Sequence, residues 1–473
     1  MSTKHKALMY NFRGVYGSTL TPEVAYHAGL LVGKHYRDVG GPPQPKVLIA
    51  SDHRFSGGVV KHFAIQGLLR AGCRAIDAGI LPTPVISWAA SRLACGGCAV
   101  TASHNPPEYN GLKFFDGKGA VLHPDFEVSV LETAVAEARR SPLPKDVRTE
   151  GYERMLSAQV MAQYMDDVAS RVRIEAPLRV AIDCRLGMAG AAASDLLERL
   201  GCSVQALNDV PHPYFRDGAG NYVDPEPTAR NLQELAERIR SGGFDLGLAF
   251  DGDCDRVVAV DETGAPVLDD VTLLLLARAL GRREQVRVVA MDISLMVEKW
   301  LRERGFPVRL TQVGDPYVAL GLATCDASFG GVPNGHYLFP GFNGYSDGFY
   351  AAAVLTEIVS QAKRAGKPVS QLVSELPHTF IMKTKRPFGH SQGQFVRRVA
   401  PVLRQLFEQM CGEVDYLQTD DAVVYSSTDS KKVLVRFNRW DHQLNVQAES
   451  LTSPQEAQAD MDVIGRALDG IVL

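Results

Sequence analysis

Lys46-Val-Leu-Ile-Ala-Ser-Asp52 is an apolar run that closes on an aspartate, and the segment behind it decides the fold. A helical stretch follows, ending at Leu69-Arg-Ala-Gly72, and a second strand begins at Cys73. The same succession returns at Leu178-Arg-Val-Ala-Ile-Asp183, whose helix ends at Glu198-Arg-Leu-Gly201. It returns again at Val286-Arg-Val-Val-Ala-Met-Asp292, whose helix ends at Arg302-Glu-Arg-Gly305. Each glycine falls where a helix C-terminus turns left-handed. Apolar strands alternating with helices predict α/β layers, and three such units predict three related mixed α/β domains.

The last hundred residues read differently. Phe395 to Phe407 has a helical pattern interrupted by Pro401, and Ser453 to Leu468 is helical throughout. Ala422-Val-Val-Tyr, Lys432-Val-Leu-Val-Arg-Phe and Gln443-Leu-Asn-Val-Gln-Ala-Glu alternate as strands, giving a C-terminal α+β module. The expected domains are 1–150, 151–263, 264–375 and 376–473.

A chain of 473 residues exceeds a single core, so three or four domains are expected. Charged residues make up 22% and the net charge is −4, with no long basic run. A nucleic-acid partner therefore has no electrostatic support. No apolar stretch is long enough to span a bilayer, and no apolar segment follows the N-terminal Met-Ser-Thr-Lys-His-Lys. A cytoplasmic protein without a membrane partner is expected, as a monomer or homodimer. Eight cysteines do not make a disulfide scaffold, and Cys95 and Cys98 read as buried strand residues.

Cys98-Ala-Val100 leads into Thr101-Ala-Ser-His-Asn-Pro-Pro-Glu108, through which neither helix nor sheet continues. A hydroxyl on a stiff irregular loop, with Lys113 ten residues on, fits a nucleophile or phosphate carrier. A Ser/Asn-capped turn is the plain alternative. Further along, Asp251-Gly-Asp-Cys-Asp-Arg256 follows the apolar run Leu246–Phe250. Three carboxylates at alternate positions converge on one point and repel unless a divalent cation joins them; oxygen ligation favours Mg²⁺. The same hexapeptide also admits an EF-hand loop, a dehalogenase-type phosphatase aspartate pair or a solvated acidic turn. An EF-hand needs glycine where Arg256 stands.

Taken together, the two strings resemble the phosphoserine and metal loops of the α-D-phosphohexomutases: phosphoglucomutase, phosphomannomutase and phosphoglucosamine mutase. The resemblance implies three related α/β domains and a C-terminal α+β domain around a central cleft. It implies that Ser103 carries a phosphoryl group and that Mg²⁺ binds Asp251, Asp253, Asp255 and the Ser103 phosphate. Arg256 steadies the phosphate or the carboxylates. Phe12-Arg-Gly-Val-Tyr-Gly17 is similar to the family's arginine motif, making Arg13 a catalytic candidate beside Lys113, His336 and His104. Asn105 lines the same pocket, and Asp52, Arg54 and Ser56 hold the serine loop. A sugar 1,6-bisphosphate is the implied activator.

Two loops depart from the family pattern. In Gly330-Gly-Val-Pro-Asn-Gly-His336, Val332 replaces the glutamate and Asn334 the serine that hold sugar hydroxyls, while His336 persists. In Arg436-Phe-Asn-Arg-Trp-Asp-His442, Arg436 persists but the small hydroxyl residues of the phosphate cradle do not; Asn438 and Arg439 are the remaining candidates. Val313-Gly-Asp-Pro-Tyr-Val318 resembles the glucosamine-phosphate branch. The expected activity interconverts a sugar 1-phosphate and 6-phosphate of glucose, mannose or glucosamine type. The alternative is a diverged member that keeps the phosphoserine and metal site but acts as a regulatory or binding protein.

Overall fold

The structure is a computed structural model describing residues 12–39, 43–411, 414–427, 430–438 and 442–472. Three of its four sheets share one plan. In the first, Lys46–Ser51 runs parallel to both Arg74–Ile80 and Gly96–Val100, and Tyr109–Phe115 returns antiparallel beside Gly96–Val100. In the second, Arg179–Asp183 lies parallel to Ser203–Leu207 and Leu246–Phe250, and Val257–Val260 returns antiparallel. In the third, Val286–Ala290 lies parallel to Val308–Thr311 and Ala327–Val332, and His336–Leu338 returns antiparallel. The internal repeat is thus a repeat of topology. The expected left-handed glycines are present, with φ of +87° at Gly72, +92° at Gly201 and +77° at Gly305.

This plan positions the site. The turn between the third and fourth strand of each unit holds the serine loop in the first sheet and Asp251–Arg256 in the second. In the third sheet it holds Pro333–Gly335. The first sheet gains two edge strands, Arg13–Val15 against Tyr109–Phe115 and Tyr152–Arg154 against Arg74–Ile80. Arg13 thereby faces Gly111, one turn of the pleat from Lys113.

The first three domains share a continuous apolar core running from Leu48 through Trp88, Tyr164, Phe250 and Phe349 to Leu376. A buried polar bridge crosses it. Ser87 Oγ donates to Asn343 Oδ1 at 2.6 Å, and Asn343 Nδ2 donates to Asp347 Oδ2 at 3.0 Å. Asp347 in turn caps the helix Gly348–Arg364 through the Tyr350 amide and accepts from Tyr164 OH at 2.7 Å.

The fourth domain is a five-stranded antiparallel sheet in the order Phe380–Pro387, Gln443–Ser450, Lys431–Asn438, Ala422–Ser427, Val414–Gln418. The first and last of these carried no strand expectation. Phe380–Pro387 alternates Lys383 and Lys385 with Met382 and Thr384, a charged pattern on a half-solvated face. The helical run around Pro401 is continuous. A π-helical turn, Phe395–Val399, widens the chain just before Ala400–Cys411, where the proline lacks the N–H an α-turn would use. Cys95 and Cys98 are buried free thiols, and burial pushes Cys95 up to about 11. Among the described residues no helix is long and apolar enough to cross a membrane.

Glu127, on the helix Pro124–Arg140, is buried behind the strand that carries Lys113. Burial pushes its carboxyl up to about 8, against the smaller opposing effects of the Phe114 amide and Lys113. Its folded value exceeds its unfolded value, so its favourable contribution is complete below about pH 4.5 and is lost as pH rises through about 8. Glu127→Gln is expected to match wild type at pH 5 and to gain roughly 2–4 kcal/mol at pH 9. Urea midpoints at the two pH values check this.

Candidate active site

The serine loop is built around one guanidinium. Arg54 Nη2 donates to the carbonyls of Ser103 and Asn105, both at 2.7 Å. Its Nη1 donates to those of Pro106 at 2.7 Å and Tyr109 at 3.0 Å. Asp52 holds Arg54 Nε at 3.1 Å and accepts from Thr101 Oγ1 at 2.7 Å; Thr101 Oγ1 accepts the Ser103 amide. Asn110 Nδ2 donates to Ser56 Oγ at 2.8 Å. The expected supporting trio of Asp52, Arg54 and Ser56 is therefore in place. With its loop so tied, Ser103 adopts a left-handed φ of +51° and is 1% exposed. Strain of this kind in a non-glycine residue persists only where the surroundings over-determine it.

Ser103 Oγ donates to Asp251 Oδ2 at 2.7 Å. Asp251, Asp253 and Asp255 are fully buried, with ligand atoms all within 4.8 Å of one another. Gly252 permits this approach, because a Cβ there would collide with the Ser103 carbonyl. Each carboxylate has its own partners. Asp251 accepts from the Arg256 amide and Nε, both at 3.1 Å, and Asp253 Oδ2 accepts from Thr83 Oγ1 at 2.6 Å. Asp255 Oδ2 accepts from Lys113 Nζ at 2.8 Å, and its Oδ1 lies 3.4 Å from His336 Nε2.

Burial, then Asp255 and Asp253, push the Asp251 carboxyl far above the usual range. Burial would raise Asp255 as well, but Lys113 and then His336 hold it well below that range. Three carboxylates in one dry pocket cannot all ionise unaided. Asp253 Oδ1 is buried with no donor among the described residues. An orphaned oxygen among crowded like charges is the environment a hard divalent cation satisfies, so these residues fit Mg²⁺.

The remaining groups close around this centre. Burial would lower the Lys113 ammonium, but Asp255, then Asp253 and Asp315, more than offset that and raise it. Lys113 also donates to Tyr345 OH at 2.8 Å, and Tyr345 OH donates to Asp315 Oδ2. Arg13 Nη1 donates to Asn105 Oδ1 at 2.9 Å. His104 Nδ1 lies 3.2 Å from Ser103 Oγ and touches Arg256 Nη2. Burial, then Arg256 and Arg13, hold His104 well below its ordinary value, which leaves it a neutral imidazole. Asn334 Oδ1 faces His336 Nδ1 at 2.8 Å.

Comparison with known proteins agrees with this arrangement. Family models described as phosphoglucomutase/phosphomannomutase α/β/α domains I, II and III match residues 6–140, 162–264 and 269–380. A probable phosphoglucosamine mutase of Methanothermobacter thermautotrophicus is 33% identical over 445 residues, covering 93% of this chain and 92% of the relative. The chain belongs to the α-D-phosphohexomutase family. A phosphoglucomutase/phosphomannomutase of Thermococcus kodakarensis is 34% identical over 398 residues, 83% of this chain and 84% of its own. A solved phosphoglucomutase/phosphomannomutase family protein from Burkholderia thailandensis superposes with a TM-score of 0.82 at 26% identity, covering 100% of this chain and 98% of that one.

Within this phosphohexomutase, Ser103, His104, Lys113, Arg13, Asp251, Asp253, Asp255, Arg256, Asn334 and His336 assemble in one place. Val332 does not join them. It is 2% exposed and belongs to the apolar core, and its backbone pairs with His336. Arg436 and Asn438 stand on the fourth domain's strand Lys431–Asn438, where Arg436 Nε donates to Asp421 at 3.1 Å. Arg439 lies outside the described residues.

Sequence reading missed Thr83, Tyr345 and Asp315. Asp315 sits in the Val313–Val318 string that the sequence singled out. Thr83 and Tyr345 carry no local signal, being 170 and 232 residues from the groups they meet. Tyr345→Phe keeps the ring but removes the hydroxyl joining Lys113 to Asp315. In a phosphohexomutase assay it is expected to lower kcat by roughly ten- to a hundredfold, the equivalent of the ~1–3 kcal/mol of one buried hydrogen bond. KM should change little.

Proposed function

We propose that the protein interconverts the 1- and 6-phosphates of a hexose of glucose, mannose or glucosamine type, with Ser103 as phosphoryl carrier. One observation carries the reading: Ser103 Oγ lies 2.7 Å from Asp251 inside a buried three-carboxylate cluster that also engages Lys113. A hydroxyl, a cation site and a buried ammonium at one point are what phosphoryl transfer needs, since catalysis there is mostly positioning and charge stabilisation.

In this reading the free sugar hydroxyl attacks the phosphorus of phosphorylated Ser103. The bond from phosphorus to Ser103 Oγ breaks as the bond to the sugar oxygen forms, giving a sugar bisphosphate. The hydroxyl proton passes to His336 and returns to the departing sugar oxygen in the second half, when the other phosphate is transferred back to Ser103 Oγ. Lys113, kept as an ammonium beside Asp255, offsets charge and is the acid on that side. Arg13 and Arg256 offset charge on the moving phosphoryl group, and His104, kept neutral, packs beside the serine. Asp251, Asp253 and Asp255 would hold Mg²⁺ together with the serine phosphate; the bound ion neutralises phosphoryl oxygens. A sugar 1,6-bisphosphate would charge the serine at the start. Asn334 and Arg436, with Asn438 and Arg439, are the proposed substrate contacts, and the domains are proposed to divide after residues 150, 263 and 375.

Two solved structures with the same fold are described as complexes, one with GlcNAc-6P and magnesium and one with glucose 1,6-bisphosphate. They support a sugar phosphate as ligand. A purely regulatory role is not favoured, because the groups needed for transfer are assembled and the relatives are named as mutases.

Intact-mass measurement after incubation with glucose 1,6-bisphosphate is expected to show one added phosphoryl group on wild type and none on Ser103→Ala. Equal labelling of both overturns the assignment. Asp253→Asn removes the orphaned carboxylate charge, and calorimetric titration should show Mg²⁺ affinity reduced by about tenfold or more, with activity falling in parallel. Unchanged affinity would place the ion elsewhere.

A further inference from the structure

The brace that Arg54 forms has a twin. Asp52-His-Arg54 stands at the end of the strand Lys46–Ser51, and Asp183-Cys-Arg185 stands at the end of Arg179–Asp183. In both, one aspartate oxygen accepts the arginine's own amide, at 3.0 Å for Arg54 and 2.9 Å for Arg185. The other oxygen holds the guanidinium at 3.1 Å in each case. Arg54 directs its remaining donors to the serine loop. Arg185 directs its own to residues 224–231: Nε donates to the Asp224 carbonyl at 2.9 Å, Nη2 to the same carbonyl, and Nη1 to that of Asn231 at 2.8 Å. No step described above uses that segment.

Within it lies Asp224-Pro-Glu-Pro-Thr228, with both prolines buried. The Glu226 amide donates to Asp224 Oδ1 at 3.0 Å, and its carbonyl accepts from Asn231 Nδ2 at 2.8 Å and the Thr228 amide at 2.9 Å. The backbone of Glu226 is thus held from both sides. Its half-exposed carboxylate meets the metal loop and the serine loop together: Oε1 lies 3.5 Å from Arg256 Nη1 and 4.0 Å from His104 Nε2. Arg256 is thereby engaged at every nitrogen, with Nε on Asp251, Nη1 on Glu226 and Nη2 on His104 Nδ1.

A guanidinium held through Nε alone could turn about that bond toward the neighbouring carboxylates. A second anchor on the fork fixes its plane. The imidazole gains an orientation as well. His104 Nδ1 accepts from Arg256, so the ring proton sits on Nε2, the nitrogen that faces Glu226. We propose that Glu226 is a positioning residue for phosphoryl transfer, fixing Arg256 and the His104 ring beside Ser103, and that Arg185 sets Glu226 in place as Arg54 sets the serine. The assignment rests on the mutase reading.

The test uses the full chain. Glu226→Gln keeps the shape and removes the charge; its control is Glu234→Gln, an exposed carboxylate on the helix Gln233–Gly242 of the same domain. Ser103 phosphorylation by glucose 1,6-bisphosphate is followed by intact mass against time, beside steady-state kinetics. Losing a donor in direct contact with the reacting group costs about a hundredfold or more, so a residue acting through Arg256 is expected to cost about tenfold in both the phosphorylation rate and kcat. KM should stay within about twofold, since the effect falls on the transition state. The control should match wild type. In an Arg256→Lys background the fork is gone, and Glu226→Gln is expected to change the rate by roughly twofold or less. A merely structural role would slow both backgrounds equally. Glu226→Gln behaving like Glu234→Gln, a raised KM at unchanged kcat, or an undiminished effect beside Arg256→Lys overturns the inference and leaves the mutase reading intact. A wild type that takes no phosphoryl group onto Ser103 overturns the mutase reading and the inference with it.

Discussion

Three buried carboxylates within a few ångströms of one another set the terms for the rest of the molecule. Their repulsion is unfavourable unless every neighbour is a donor or a cation. The neighbours come from different domains: Ser103, Thr83 and Lys113 from the first, Arg256 from the second and His336 from the third. The charge centre therefore acts as a joint. Loosening one domain exposes a carboxylate to a partner's absence, which couples the closure of the first three domains to the state of the site. The shared apolar core and the Ser87–Asn343–Asp347 bridge hold the same domains together from behind.

Much of this was legible because it is locally written. A strand ending in aspartate, a helix and a left-handed glycine recur three times, and each feature depends on the residues beside it. The serine and carboxylate loops showed locally only an irregular hydroxyl-bearing loop and an acidic turn; their roles came from the resemblance of the two strings together to the family's loops. Arg54 could be read as support, although its four carbonyl contacts could not be counted from the chain. Tyr345 and Thr83 were hidden because nothing near them in sequence needs them; their meaning comes from groups more than a hundred residues away. Phe380–Pro387 escaped notice because its lysines serve a polar sheet face, where the apolar alternation that announces a strand is weak.

The three equivalent turns are not equally constrained. The serine and carboxylate turns face each other, and a change in either leaves a buried charge uncompensated. The Pro333–Gly335 turn meets them through His336, which lies near Asp255 and bridges to Arg256, and through the Val257 amide on the Gly335 carbonyl. Val332, at the start of that turn, lies in the apolar core. The fourth domain's sheet meets the third domain through an apolar patch of Met291, Ala422, Val424 and Leu434, and through buried contacts of Glu449 with Ser294 and the Leu295 amide and of Lys432 with the Ile293 carbonyl.

The grip of Arg54 on the carbonyls of Ser103, Asn105, Pro106 and Tyr109 has a kinematic consequence. A serine whose backbone is pinned on both sides cannot swing between two ends of a hexose, and its oxygen can only wait at one address. In the proposed cycle the carbohydrate supplies the motion, presenting first one terminus and then the other to Ser103. A cycle built this way is an exercise in tumbling within walls, and its slow step can be a rotation of the guest rather than any rearrangement of bonds.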